Sequence, residues 1–177
     1  MIDFWCDYLS DKPFEELWSI FSGHYIEHCA DRLLPYPGVE ETLQELKRRG
    51  IALGINTNKP DFAVKAISEK FPWMKEFFGD AIIAGGNCAE MKPSALPLRE
   101  CAIKLGRQLS PADVMVGDSW NDVHCAANAG VRSAFCTFWF GELKDVPPTY
   151  SIDTFSDLLQ IPMVESNGEK IPMKVEL

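Results

Sequence analysis

The sequence predicts an α/β protein built on a doubly wound, Rossmann-like parallel sheet with helices on both faces. Residues 51–55, 81–84, 114–117 and 133–137 are short runs of mostly apolar residues. They lack the polar alternation of a half-solvated strand, so they suit a sheet covered on both sides. Segments with helical spacing separate them, several closed by a glycine. The first three runs end in clusters of small and polar residues, and ligands of an open parallel sheet bind just beyond the carboxyl ends of its strands.

At the amino end, Ser10 or Asp11 can cap a helix with Pro13 in its first turn. Phe14, Leu17, Trp18, Phe21 and Tyr25 then recur at helical spacing, which predicts a long amphipathic helix over 13–31. Pro35-Tyr36-Pro37-Gly38 interrupts the chain. The next helix turns Val39, Leu43 and Leu46 inward, ends in Lys47-Arg48-Arg49, where a helix carboxyl end favours positive charge, and stops at Gly50. Strand 51–55 follows, then helix 61–70 after Pro60, strand 81–84, and helix 94–105 before Gly106. Strand 114–117, helix 121–129 closed by Gly130, and strand 133–137 complete the alternation. The tail differs in kind. Asn167-Gly168 is a two-residue hairpin signal, with Ile171, Met173, Val175 and Leu177 alternating with polar residues. Pro162 and Pro172 restrict both arms to sheet edges, and a solvated tail is the alternative.

A chain of 177 residues, 46% hydrophobic, can bury one full core. Its net charge of −9 gives no electrostatic footprint for nucleic acid or anionic lipid. Positive charge for a phosphorylated substrate therefore has to come locally, from a lysine or a metal. The first twenty residues carry Asp3, Asp7, Asp11, Glu15 and Glu16 without an apolar run, which argues against a secretory signal. No later run approaches a membrane span, and a cytoplasmic location is the simplest expectation. The cysteines Cys6, Cys29, Cys88, Cys101, Cys125 and Cys136 form no C-x-x-C pair, so reduced and mostly buried thiols are expected.

Three strand ends carry the chemistry. Asn56-Thr57-Asn58-Lys59-Pro60 offers a hydroxyl, amides and free backbone N–H groups at a helix start, a combination that can hold an anion. Gly85-Gly86-Asn87 leads to Met91-Lys92-Pro93-Ser94, where a cation opposes the dipole of the coming helix unless an anion lies between them. Asp118-Ser119-Trp120-Asn121-Asp122 places two carboxylates close enough to repel unless a cation pairs them. Only oxygen ligands are offered there, which favours Mg²⁺ over zinc. Taken singly, each segment also reads as an ordinary strand-to-helix turn or cap.

Thr57, Lys92 and Asp118 with Asp122, in this order at successive strand ends, resemble the second, third and fourth motifs of the haloacid dehalogenase superfamily. PYPGVEETLQELKRRG, LGINTNKP, MKPSALPLRECAIKLG and VGDSWNDVHCAANAG are similar to phosphoglycolate phosphatases, and the likeness runs from about Phe21 to Leu159. The resemblance implies hydrolysis of a small phosphorylated metabolite through an aspartyl-phosphate, assisted by Mg²⁺. It implies that Thr57 and Asn58 bind the phosphoryl group, that Lys92 neutralises charge on nucleophile and phosphate, and that Asp118 and Asp122 hold the metal.

That family's first motif, an apolar strand ending in D-x-D-G-T, supplies the nucleophile and acid–base, and it does not occur in this sequence. In Met1-Ile2-Asp3-Phe4-Trp5-Cys6-Asp7, Asp3 can mimic the nucleophile, but Trp5 stands where the acid–base should be. The alternative reading takes residues 1–35 as part of a helical cap, 36–160 as the α/β core and 161–177 as a hairpin or tail, with the nucleophile strand missing. On that reading the chain is truncated and poorly active alone, and two apolar strand edges are exposed, favouring a homodimer. A degenerate, non-catalytic domain serving as a binding or assembly module is the rival function. His24-Tyr25-Ile26-Glu27-His28 also matches the H-x-x-E-H zinc motif, although no convincing third ligand follows.

Overall fold

The computed structural model describes residues 13–139 and 141–162. Helix α1 (Phe14–His28) and α2 (Val39–Arg48) precede strand β1 (Ile55–Pro60). Then come α3 (Asp61–Lys70), α4 (Trp73–Phe78), β2 (Ile82–Gly85), α5 (Leu96–Lys104) and β3 (Val114–Gly117). Helix α6 (Trp120–Ala129), β4 (Arg132–Cys136), β5 (Tyr150–Ile152) and a 3₁₀ helix (Phe155–Gln160) close the described chain. Every ladder is parallel, as the apolar strands predict.

Among the described residues the strands form two ladders, β1–β2 and β3–β4–β5, with no hydrogen-bonded pairing between them. β1 and β3 therefore each keep one edge without a described partner. Two clusters anchor the halves. Ala81, Ile83 and Cys101 pack beside β2 and α5, while Ala134, Cys136, Ile152, Leu158 and Ile161 pack around β4 and β5. Cys101, Cys125 and Cys136 are buried, while the free thiols Cys29 and Cys88 are partly exposed.

The first strand departs from expectation. Pairing begins at Ile55, whose N–H donates to the Ala81 carbonyl at 2.8 Å, and runs to Pro60, so Asn56–Lys59 belongs to the strand rather than to a turn after it. The reason is the partner: β2 starts only at Ile82 and gives residues 51–54 no ladder to join. Asn56 faces Ile83 while Pro60 faces Gly85, so β1 spends four residues where β2 spends two. This irregularity lifts Thr57, Asn58 and Lys59 out of the ladder and re-aims their side chains. Gly85 permits it, because a Cβ there would strike the Asn58 carbonyl.

Helix α1 is shorter than predicted and buries none of its residues, so its aromatic face is not a core face. Phe14, Trp18, Phe21 and Tyr25 instead stack on one another, and Tyr25 meets the edge of Phe62 on α3 at 6.0 Å between ring centroids. Lys70 ties the end of α1 down by donating to the carbonyls of Ala30 and Asp31. α4, β5 and the 3₁₀ helix had no clear sequence signal. α4 and the 3₁₀ helix are six residues each and β5 three, too short for periodicity to register. Among the described residues no helix is long and apolar enough to cross a membrane. The readings for Asp3 and for the Asn167-Gly168 hairpin lie outside the described residues.

Candidate active site

Lys92, which arrives on the loop after β2, links β1 at its second residue, Asn56, to the first turn of α6 just beyond β3. Its ammonium donates to the Asn56 carbonyl at 2.8 Å and to Oδ1 of Asp122 at 2.7 Å. Both charged side chains are buried, at 11% and 6% exposure. The loop is held by Asn58, whose amide donates to the Lys92 carbonyl and accepts from the Lys92 N–H, each at 2.9 Å. Asn56 faces the same way, its amide lying 3.7 Å from Cys125 Sγ.

Asp122 owes its position to the start of α6. Ser119 precedes the helix, and Asp122 reaches back so that its Oδ2 accepts from the N–H of Asp118 at 3.2 Å, the N–H of Ser119 at 3.1 Å and the Ser119 hydroxyl at 2.9 Å. The last residue of β3 has to be Gly117, because a Cβ there would fall on the Asp122 carboxylate. Both oxygens of Asp122 are thus engaged. The residue acts as counter-ion to Lys92 and as a brace for the turn.

Asp118 is in the opposite condition. Burial raises its carboxyl above the ordinary range and the Asp122 charge raises it further, with a backbone hydrogen bond and Lys92 offsetting part of this. The same pocket of charge acts on its neighbours. Burial, then Asp118 and Asp122, push the Cys136 thiol up to about 11. Burial, then Asp118 and Cys136, raise the Tyr36 phenol. A carboxylate disfavoured by burial and by a second carboxylate fits a hard, oxygen-seeking cation, which would restore its charge. Among the described residues no three His, Cys, Asp or Glu side chains are grouped to hold a metal.

Thr57 follows the carbonyl that Lys92 grips, and its Oγ1 accepts the Lys59 N–H at 3.1 Å. Lys59 turns away from Lys92 and donates to the Tyr25 hydroxyl of α1 at 3.0 Å. The structure therefore brings Lys92, Asp118 and Asp122 together, sets Thr57 one residue beyond the Asn56 carbonyl that Lys92 grips, and gives Asn58 to the Lys92 backbone. Sequence reasoning missed Ser119, the Asn56 carbonyl and the Lys59–Tyr25 contact. Ser119-Trp120-Asn121-Asp122 carried a legible cap signal of the S-x-x-D kind, whereas the other two depend on tertiary placement.

His24 and His28 share one face of α1 with ring centroids 4.5 Å apart, but both are exposed and His28 Nδ1 lies 2.7 Å from Asp31. No described third ligand joins them to make the zinc centre that H-x-x-E-H would require.

The sequence profile of the haloacid dehalogenase-like hydrolases matches residues 5–136. The chain is 30% identical over 153 residues to a phosphoglycolate phosphatase of Aquifex aeolicus, covering 86% of this chain and 70% of that protein. Curated relatives of this kind are longer, and the chain spans 51% to 70% of their length. A predicted phosphoglycolate phosphatase from Haemophilus somnus has a crystal structure that superposes with a TM-score of 0.75 at 28% identity, over 90% of this chain and 73% of that one. CbbY from Rhodobacter sphaeroides in complex with phosphate superposes with a TM-score of 0.68 at 25% identity, over 84% and 67% of the two chains. The strand-end arrangement and these likenesses agree: the chain belongs to the haloacid dehalogenase-like hydrolase family, with phosphoglycolate phosphatases among its relatives.

Proposed function

We propose that the described residues form the phosphoryl-binding and metal-binding part of a site for Mg²⁺-dependent hydrolysis of a small phosphomonoester, phosphoglycolate being the first candidate. The observation that carries this is the buried Lys92–Asp122 pair, which links Asn56 of β1 to the start of α6 beside Asp118. A phosphate bound here meets the Thr57 hydroxyl and the third N–H of Lys92. Lys92 is oriented by Asn56, Asn58 and Asp122, so it stabilises added negative charge with little rearrangement. Asp118 holds the cation, and Asp122 acts through Lys92 and the Asp118 backbone. When bound, Mg²⁺ neutralises charge on the phosphoryl oxygens.

The sequence offers no D-x-D-G-T to supply nucleophile and acid–base at the required spacing. Losing the nucleophile of a catalytic unit costs on the order of 10⁴ to 10⁶ in rate, so the 177-residue chain binds phosphoesters better than it hydrolyses them. Phosphate release from 2-phosphoglycolate tests this. Turnover near the buffer rate, unchanged in Asp3→Asn, is expected. Robust Mg²⁺-dependent turnover abolished by Asp3→Asn would make Asp3 the nucleophile and overturn this part.

A binding or assembly role is the second reading, favoured by the edges of β1 and β3 that have no partner among the described residues. It predicts dimers in light scattering at micromolar concentration, whereas a monomer argues against pairing through those edges.

A further inference from the structure

We propose that His24 and His28 on α1 form a two-histidine site for a divalent cation of borderline softness, Zn²⁺ or Ni²⁺, with Asp31 orienting the His28 ring. The site stands apart from the Mg²⁺ chemistry proposed for Asp118 and takes a different class of metal. Imidazole nitrogen suits Zn²⁺ and Ni²⁺, whereas carboxylate and water suit Mg²⁺.

The helix supplies the spacing. Residues four apart lie one above the other, and His24 and His28 share the last turns of Phe14–His28 with ring centroids 4.5 Å apart and planes at 42°. Two imidazoles bonded to one cation at about 2.1 Å bring their centroids to about 4.5–5.3 Å, so the rings already stand near chelating distance. Asp31 sets the ring of His28. Its Oδ2 lies 2.7 Å from His28 Nδ1, so in the neutral imidazole the Nδ1 proton faces the carboxylate and Nε2 keeps its lone pair for a metal. Metal-bound histidines commonly have such a carboxylate behind them.

The turn that carries Asp31 is fixed in advance. The Asp31 N–H donates to the His28 carbonyl at 3.1 Å, and the Lys70 ammonium of α3 donates to the carbonyls of Ala30 and Asp31 at 2.6 and 2.7 Å. Local charge favours a cation. Glu27 Oε2 lies 3.8 Å from His28 Nε2, and Glu27 with Asp31 outweighs Arg32, which lines the same open cleft of about 490 Å³ as the two histidines. Both histidines are exposed, so a cation reaches them without opening the fold. Water completes the coordination, because no third His, Cys, Asp or Glu among the described residues is grouped with the pair. The bound cation is a staple: α1 buries none of its residues, and the metal ties His24 to His28 and, through Asp31 and Lys70, to α3.

The test is titration of the full chain with Ni²⁺ by calorimetry at about pH 8, where protons compete little for imidazole, with and without excess Mg²⁺. Wild type should bind one Ni²⁺ per chain in either condition. His24→Ala and His28→Ala should each abolish that binding while circular dichroism of the metal-free chain stays unchanged. Asp31→Asn should weaken it by about tenfold or more, the usual cost of losing a carboxylate behind a ligating histidine. Cys29→Ser should leave it in place. No Ni²⁺ binding by wild type, or affinity undiminished in either histidine variant, overturns the proposal. Binding lost in Cys29→Ser assigns the metal to the thiol, and binding displaced by Mg²⁺ assigns it to Asp118; either result overturns the proposal as well. Undiminished affinity in Asp31→Asn overturns the orienting role given to that carboxylate.

Discussion

The Lys92 ammonium lies 2.7 Å from Oδ1 of Asp122, with both side chains withdrawn from solvent, and this pair is the joint between β1 and the start of α6. Removing one partner leaves the other charged and buried, which costs about 3–5 kcal/mol. Asp122→Asn should therefore lower unfolding stability in urea by that order, and Lys92→Met with Asp122→Leu should recover a large part of it. A loss under about 0.5 kcal/mol in Asp122→Asn would mean that the pair is not the structural joint described.

Gly117→Ala tests the same joint from the backbone side. The added methyl falls on the Asp122 carboxylate, so either β3 or the carboxylate must move. Overpacking of this kind costs about 1–3 kcal/mol, and here phosphate affinity should fall with it. Unchanged stability and unchanged phosphate binding would contradict the close approach.

For Asp118 the two effects run in opposite directions. Its carboxyl is raised by burial and by Asp122, so at neutral pH the ionised form works against folding when no metal is bound. Asp118→Asn should raise the metal-free melting temperature slightly and abolish the further rise produced by Mg²⁺ or Mn²⁺. Equal stabilisation of wild type and variant by the cation would place the metal elsewhere.

Alkaline stability follows from two thiols. Cys125 and Cys136 are each pushed up to about 11, chiefly by burial. In the unfolded chain a thiol ionises near pH 8.5, roughly its ordinary value. Between these values the unfolded state has lost protons that the native state retains, so stability falls as pH rises. Stability by urea unfolding should decline over that window and do so less steeply in Cys125→Ala with Cys136→Ala. A slope unchanged by the substitutions would remove the thiols as its cause.

The α/β rhythm was legible because apolar runs and helix stops are local, and β3 and α3 sit where their residues predict. The ladder irregularity between Asn56 and Pro60 was not legible, since it depends on where β2 begins in space. The pairing of Asp118 with Asp122 suggests two metal ligands from spacing alone. Spacing could not show the arrival of Lys92, 30 residues away in sequence, which gives Asp122 a buried counter-ion. The aromatic spacing of α1 likewise predicts a buried face, but spacing cannot say what covers it, and the described residues leave it exposed.

The most direct test of the central claim is Mg²⁺-linked binding of inorganic phosphate, followed by ³¹P line broadening on the full chain. The account predicts saturable binding that strengthens with Mg²⁺, is lost in Lys92→Met, and loses its Mg²⁺ dependence in Asp118→Asn. Phosphate binding indifferent to both substitutions, or no binding with or without Mg²⁺, would contradict it.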